Sequence, residues 1–299
     1  MTLKQAQPAA DLSGVALRAV KRAARHCHLG IRGARLIRVF ATAVYHLPAA
    51  DAVARVALVT SPDSVSRLVT SVRVTRWLAG IGFPSVEPLP VEQPVMGHEC
   101  VVTFWRYLPQ DGPEPRPADL GHLLRQLHEL RSPFPLPAYQ PLGPVRQAIE
   151  ASRAISGEDR AWLISRSEQL LEAYRRLNFE LPPGMIHGDA YRGNLLRDRS
   201  RVVLADWDAV SNGPREIDLI PTMQARRFGL PEEERGAFVA AYGQDIRSWD
   251  GYSVLREIRE LSTLTALLRD GHADAAGLRE LQIRLRSLRT GDDQQWTAF

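Results

Sequence analysis

Residues Met185–Asp218 read MIHGDAYRGNLLRDRSRVVLADWDAVSNGPREID, and the fold follows from this stretch. Two apolar runs, Asn194-Leu195-Leu196 and Val202-Val203-Leu204-Ala205, flank the polar segment Arg197-Asp198-Arg199-Ser200. That pattern predicts a β-hairpin with a four-residue connection. Asp189 precedes the first strand, Asn194 opens it and Asp206 closes the second, so the hairpin gathers three oxygen-bearing side chains at one end. Phosphoryl transfer asks for such a set. One carboxylate holds the acceptor hydroxyl and takes its proton, while a carboxylate and an amide hold divalent metal against the phosphate oxygens.

The spacing H-G-D-x-x-x-x-N followed by a strand-end Asp also matches the layout of a kinase catalytic loop and its metal-binding hairpin. Together with the run Gly213-Pro214-Arg215-Glu216-Ile217-Asp218-Leu219, it resembles the aminoglycoside phosphotransferase and choline kinase-like family, whose loop reads H-G-D where protein kinases have H-R-D. The resemblance extends over residues 30–290. It implies Asp189 as the group that orients the acceptor hydroxyl and accepts its proton, Asn194 and Asp206 as ligands of Mg²⁺, and ATP or GTP as cosubstrate. It further implies that Asp218 braces the catalytic loop, that His187 supports it by hydrogen bonding, and that Asp208 is an extra acid near the metal. No D-F-G is present; Asp206-Trp207-Asp208 stands in that place.

A chain of 299 residues with 44% hydrophobic content can bury one large or two modest cores. No run approaches the roughly 18 apolar residues of a membrane span, and the first twenty residues lack a charged start followed by an apolar block, so a soluble, cytoplasmic protein without a membrane partner is expected. Cys27 and Cys100 are too few for a disulfide framework and lack zinc-site spacing. Charge is uneven: residues 1–106 hold 13 Lys/Arg against 6 Asp/Glu, and the remainder holds 25 against 28. The cluster Lys21, Arg22, Arg25, Arg32, Arg35 and Arg38 has no interleaved aromatics and reads as a solvated face, so no nucleic-acid partner is expected.

From the N-terminus, Ser13 is placed as the cap of a helix carrying Leu17, Val20, Ala24 and Cys27, and residues 1–11 as disordered. Strand-like runs follow at 34–39, 43–47 and 53–59, as at the start of a kinase-like small lobe. The connection Phe40-Ala41-Thr42, expected over the phosphates, has no glycine. Ala52-Val53-Ala54-Arg55 occupies the place of the kinase V-A-I-K, making Arg55 the phosphate-reaching cation, with arginine's two-donor grip in place of lysine. The next helix, 65–78, has Ser71 near the position where an acidic partner for Arg55 is expected. The strand 100–105 leads to a hinge in which backbone groups around Trp105 to Tyr107 hold the nucleotide base, with ring packing from Phe104 or Trp105. Beyond it, helices are expected near Pro117, at 160–177, after Pro231, along a stripe from Val254 to Leu268, and at 278–288. Residues 291–299 are expected to fray.

The expected architecture is α+β, a bilobal protein kinase-like fold with a small antiparallel-sheet N-lobe and a mainly helical C-lobe. Residues 1–30 form a tail and helix, 31–108 the nucleotide-binding lobe, and 109–299 the catalytic and acceptor-binding lobe. The implied activity is phosphorylation of a small-molecule hydroxyl. The alternative is a nucleotide-binding regulator of kinase-like fold without efficient turnover, prompted by the glycine-free connection and the unpartnered Arg55. Within 205–274, 13 Asp/Glu stand against 8 Lys/Arg, and Asp245, Asp250, Glu257, Glu260, Asp270 and Asp274 are candidates to meet a cationic, aminoglycoside-like acceptor. Oligomeric state is not legible.

Overall fold

The computed structural model describes residues 9–39, 42–59, 62–97, 99–270 and 275–298. Two compact units emerge: Met1–Pro115 with Asn194–Val210, and Arg116–Gly193 with Ser211–Phe299.

The first unit is built on a five-stranded antiparallel sheet of order β1-β2-β3-β5-β4: β1 Arg35–Val39, β2 Thr42–Leu47, β3 Ala52–Leu58, β4 Val95–Met96 and β5 Cys100–Arg106. Alternation decides what each face does, because successive strand side chains point to opposite sides. Ala52, Ala54 and Val56 of β3, with Tyr45, Leu47, Val102 and Phe104, join Ala16, Val20, Ala23 and Ala24 of helix α1 (Ala9–His26) in one core. At Ala9, the first described residue, the chain is already helical, so Ser13 lies inside the helix rather than at its cap. Lys21, Arg22 and Arg25 are exposed on its far side. The opposite parity of β3 carries Arg55, whose cross-strand neighbours are Val44 and Thr103. Phe40 and Ala41 of the expected phosphate-covering connection, and the N-terminal residues before Ala9, lie outside the described residues.

Helix α2 (Pro62–Gly80) leads into the segment 83–86, on which the hairpin β7 (Leu195–Asp198) and β8 (Arg201–Leu204) is docked. Leu204 N donates to Pro84 O at 3.0 Å and Val86 N to Leu204 O at 3.0 Å, while the buried Trp207 meets Phe83 edge-on. Asp198 and Arg201 are paired, leaving Arg199-Ser200 as a two-residue turn with Arg199 left-handed at φ 59°. The expected four-residue connection is therefore too long. Tertiary bonds extend the ladder: Arg106 grips Asp198 at 2.6 Å, and Arg197 N donates to Gln110 Oε1 at 2.9 Å.

The second unit is mainly helical: α3 Pro117–Glu129, α4 Gly143–Ala151, α5 Gly157–Arg175, α6 Glu216–Met223, α7 Glu232–Tyr242, α8 Tyr252–Ser262, α9 Leu264–Asp270 and α10 Ala275–Thr290. A short antiparallel pair, β6 (Gly184–Ile186) and β9 (Ser211–Gly213), joins the chain just before His187 to the chain just after Val210. Helices α3 and α7 pack closely because Gly121 has no side chain; a Cβ there would stand 2.6 Å from Phe238 O. The apolar stripe 254–268 is not one helix. It breaks at Thr263, whose hydroxyl donates to Glu260 O and whose carbonyl accepts from Arg284 Nη1 at 3.0 Å. The C-terminal segment is held rather than frayed: Trp296 is buried with the guanidinium of Arg227 at 4.6 Å from its ring and that of Arg284 at 5.3 Å. These cations are themselves paired, Arg227 with Glu260 at 3.0 Å and Arg284 with Glu280 at 2.7 Å, so their burial is compensated. Among the described residues no helix is long and apolar enough to cross a membrane.

Candidate active site

In the first unit, Ala205 N donates to Asn194 O at 2.8 Å, the rung of the hairpin just beyond Leu195 and Leu204. Asn194 thus opens β7 beside the residue that precedes Asp206. Asp206 is a non-glycine residue in left-handed conformation, φ 65° and ψ 59°. Such backbone costs about 1–3 kcal/mol and persists only where surrounding contacts hold it, which is commonest at functional positions. The contacts here are ionic. Arg55 Nη2 donates to Asp206 Oδ1 at 2.8 Å and to Asp208 Oδ2 at 3.0 Å. Burial works to lower the pKa of Arg55, but the charges of Asp208 and Asp206 outweigh it and hold the guanidinium above its ordinary value.

The missing acidic partner of Arg55 is therefore supplied by the hairpin and not by α2, where Ser71 is fully buried and its hydroxyl makes no hydrogen bond. Of the rings expected at the nucleotide base, Phe104 faces the other way: it pairs with Ala54 and is fully buried in the core beneath α1. Its amide is also taken, by Gln93 Oε1 at 2.7 Å. Trp105 pairs with Val53 and shares the Arg55 face, with its Nε1 donating to Thr103 Oγ1 at 2.9 Å. Tyr107 stacks on His46 at 3.8 Å between centroids, and its amide donates to Asp51 O.

In the second unit, a buried carboxylate organises the loop before β7. Asp218 accepts from His187 N at 2.7 Å, Gly188 N at 2.8 Å and His128 Nε2 at 3.1 Å. Gly188 adopts φ 82°, a conformation that glycine enters without steric cost, and the turn it makes leads directly to Asp189. Asp189 N points back to His187 Nδ1 at 3.3 Å. Behind Asp218, His128 of α3 continues to the Tyr242 hydroxyl at 2.9 Å. The Asp189 carboxylate is 41% exposed and accepts from Arg259 Nη1 at 2.6 Å.

Sequence reasoning missed His128 and Arg259, which come from α3 and α8, far along the chain from the motif. Several acids considered for a cationic acceptor are already matched: Asp245 by Arg247, Glu257 by Arg166 at 2.5 Å and the buried Glu260 by Arg227. Asp274 lies outside the described residues.

The family model described as the phosphotransferase enzyme family matches residues 40–258, a span that holds Arg55, both halves of the H-G-D-x-x-x-x-N motif, Asp206 and Asp218. The chain belongs to the phosphotransferase enzyme family. As a member it is a small-molecule phosphotransferase, and its fold is shared with solved structures of low sequence identity. One is an amicoumacin kinase in complex with AMP-PNP, Ca²⁺ and its ligand, with TM-score 0.71 at 12% identity over 94% of this chain and 95% of that one. A choline/ethanolamine kinase family protein from Mesorhizobium loti gives 0.64 at 16% identity, covering 92% and 94%. The aminoglycoside phosphotransferase APH(3'')-Id from Streptomyces rimosus gives 0.57 at 18% identity, covering 83% and 98%. No curated protein matches the chain in sequence.

Proposed function

We propose that this phosphotransferase moves the γ-phosphoryl group of ATP or GTP, with Mg²⁺, to a hydroxyl of a small molecule. The observation that supports this reading most is the Arg55–Asp206–Asp208 constellation, in which a strained strand-end aspartate is held beside a cation of the sheet. Asp206, Asp208 and Asn194 present hard oxygen donors of the kind Mg²⁺ takes. Among the described residues no group of three or more acidic, His or Cys side chains forms a cage of its own. Mg²⁺ normally uses one or two carboxylates and completes its shell with water and phosphate, and Asp206 with Asp208 supplies such a pair. When bound, the ion neutralises charge on the phosphate oxygens.

The protein's own groups then divide the work. Asn194 and Asp206 hold the metal–nucleotide, and Arg55 offers its donors to the nucleotide phosphates. Asp189, presented by the turn that Asp218 ties down, orients the acceptor hydroxyl and receives its proton. Trp105 is the aromatic ring of the pair that lies on the Arg55 face, where at 5% exposure it backs the nucleotide position rather than offering an open ring to the base. A panel of hydroxyl compounds assayed for ADP release with Mg²⁺ and ATP tests the proposal. Turnover of at least one compound is expected, falling roughly 10²-fold or more in Asp189→Asn. Nucleotide binding without turnover of any compound would favour the regulator instead.

A further inference from the structure

A guanidinium stands on the carboxylate to which the acceptor hydroxyl must come. Arg259 Nη1 lies 2.6 Å from Asp189 Oδ1, and the same cation sits 6.0 Å from the centroid of the exposed Tyr191 ring. Burial works to lower the pKa of Arg259, but the charge of Asp189 and its hydrogen bond outweigh it, so the guanidinium stays charged. A guanidinium has five N–H donors, of which, among the described residues, Arg259 commits one to Asp189 while its buried Nε meets no partner. The neighbouring Tyr139 phenol is held protonated by burial, so it adds no negative charge at neutral pH.

The surroundings of Asp189 therefore offer little to a cationic acceptor. A positive group brought to the catalytic aspartate meets Arg259, and the carboxylates of α8 that would attract it, Glu257 and Glu260, are neutralised by Arg166 and Arg227.

Resting on the phosphotransfer reading, we infer that Arg259 selects the acceptor by charge, and that the acceptor is a small hydroxy acid. Its carboxylate takes the uncommitted donors of Arg259, in the charge-assisted and often forked geometry that arginine forms with carboxylates. Its hydroxyl is thereby delivered to Asp189. The hydroxyl oxygen forms the new bond to the γ-phosphorus as the bond to the β-bridging oxygen breaks. ADP leaves, the hydroxyl proton passes to Asp189, and the product is a phosphate monoester carrying a carboxylate.

The test compares short hydroxy acids, their methyl esters and amino alcohols as acceptors with Mg²⁺–ATP, using the wild type, Arg259→Ala and the charge-retaining Arg259→Lys. Mg²⁺–ATP binding is followed by calorimetry, and acceptor binding without nucleotide by thermal shift. Expected are turnover of at least one hydroxy acid in preference to its ester and to amino alcohols, and an acid-to-ester ratio of kcat/KM lowered about 10²-fold in Arg259→Ala, the scale of a lost charged contact. Arg259→Lys should recover part of the loss, and the acid should raise the melting temperature of the wild type but not of Arg259→Ala. Preference for amino alcohols, or an acid-to-ester ratio unmoved by Arg259→Ala, overturns the inference and leaves phosphotransfer standing. Protection by the acid without ADP release from any compound leaves Arg259 as the acid's binding group and overturns phosphotransfer to it.

Discussion

Removing Arg55 should reveal what it balances. Its side chain is 13% exposed and lies 2.8 Å from Asp206 and 3.0 Å from Asp208, which are 34% and 30% exposed. Fully exposed ion pairs contribute about 0–1 kcal/mol, whereas stripping one partner from a buried pair costs about 3–5 kcal/mol. With the cation mostly buried and the carboxylates a third open to water, Arg55→Ala should cost about 1–2 kcal/mol. For a chain of this size that is a fall in melting temperature of a few degrees, on the scale of about 2–4 °C per kcal/mol. Left without a counter-ion, Asp206 and Asp208 should welcome Mg²⁺ more than in the wild type. A metal binding the folded state at a hundred times its Kd adds about 2.7 kcal/mol, enough to restore the loss. The assay is differential scanning fluorimetry of wild type and Arg55→Ala across a MgCl₂ series, with NaCl controls at matched ionic strength. ATP affinity, measured by calorimetry at fixed Mg²⁺, should fall in the variant even as its response to Mg²⁺ alone grows. Identical melting temperatures, Mg²⁺ responses and ATP affinities would refute the reasoning and leave Arg55 as a cation without a role in the site.

Asp206→Ala should weaken Mg²⁺–nucleotide binding and turnover together, since a metal ligand acts before and during the chemistry; titration of activity against Mg²⁺ concentration checks this. Arg106 holds the Asp198 carboxyl below its usual range, so that pair stabilises the folded state above the unfolded carboxylate pKa near about 4 and the contribution disappears as pH falls through the depressed folded value. The difference in unfolding free energy between wild type and Asp198→Asn should accordingly be about 0.5–1 kcal/mol and flat above about pH 5, shrinking below it, as read from urea melts at a series of pH values. Trp296→Ala should destabilise the second unit by about 3 kcal/mol or more, because it removes a buried ring packed against Arg227 and Arg284; unchanged urea unfolding would show the C-terminal segment contributes nothing.

The residues proposed to bear the chemistry stand out in sequence because they are local. His187-Gly188-Asp189, Asn194 and Asp206 lie within one loop and one hairpin, where turn chemistry and strand parity fix the spacing, and Asp218 follows on the next short helix. The sheet strands and most helices were legible for a similar reason: apolar alternation and helical periodicity are properties of a window of sequence. What neighbours those elements find is decided by pairing in three dimensions. Phe104 and Trp105 are equivalent as adjacent aromatics, yet pairing with Ala54 sends one into the core under α1 and pairing with Val53 sends the other to the Arg55 face. The acidic partners of Arg55 come from a hairpin about 150 residues away, docked by backbone hydrogen bonds that carry no side-chain signature. Asp198 at the end of β7 is captured by Arg106, and Trp296 by two arginines, one paired with Glu260 on α8 and the other with Glu280 one turn back on its own helix. Most consequential is Arg259. Its helix reads as amphipathic in sequence and nothing local singles out its charge, but packing of α8 brings that guanidinium onto Asp189. A periodic pattern states which side of a helix is polar; only the packed structure states which other charge that side meets.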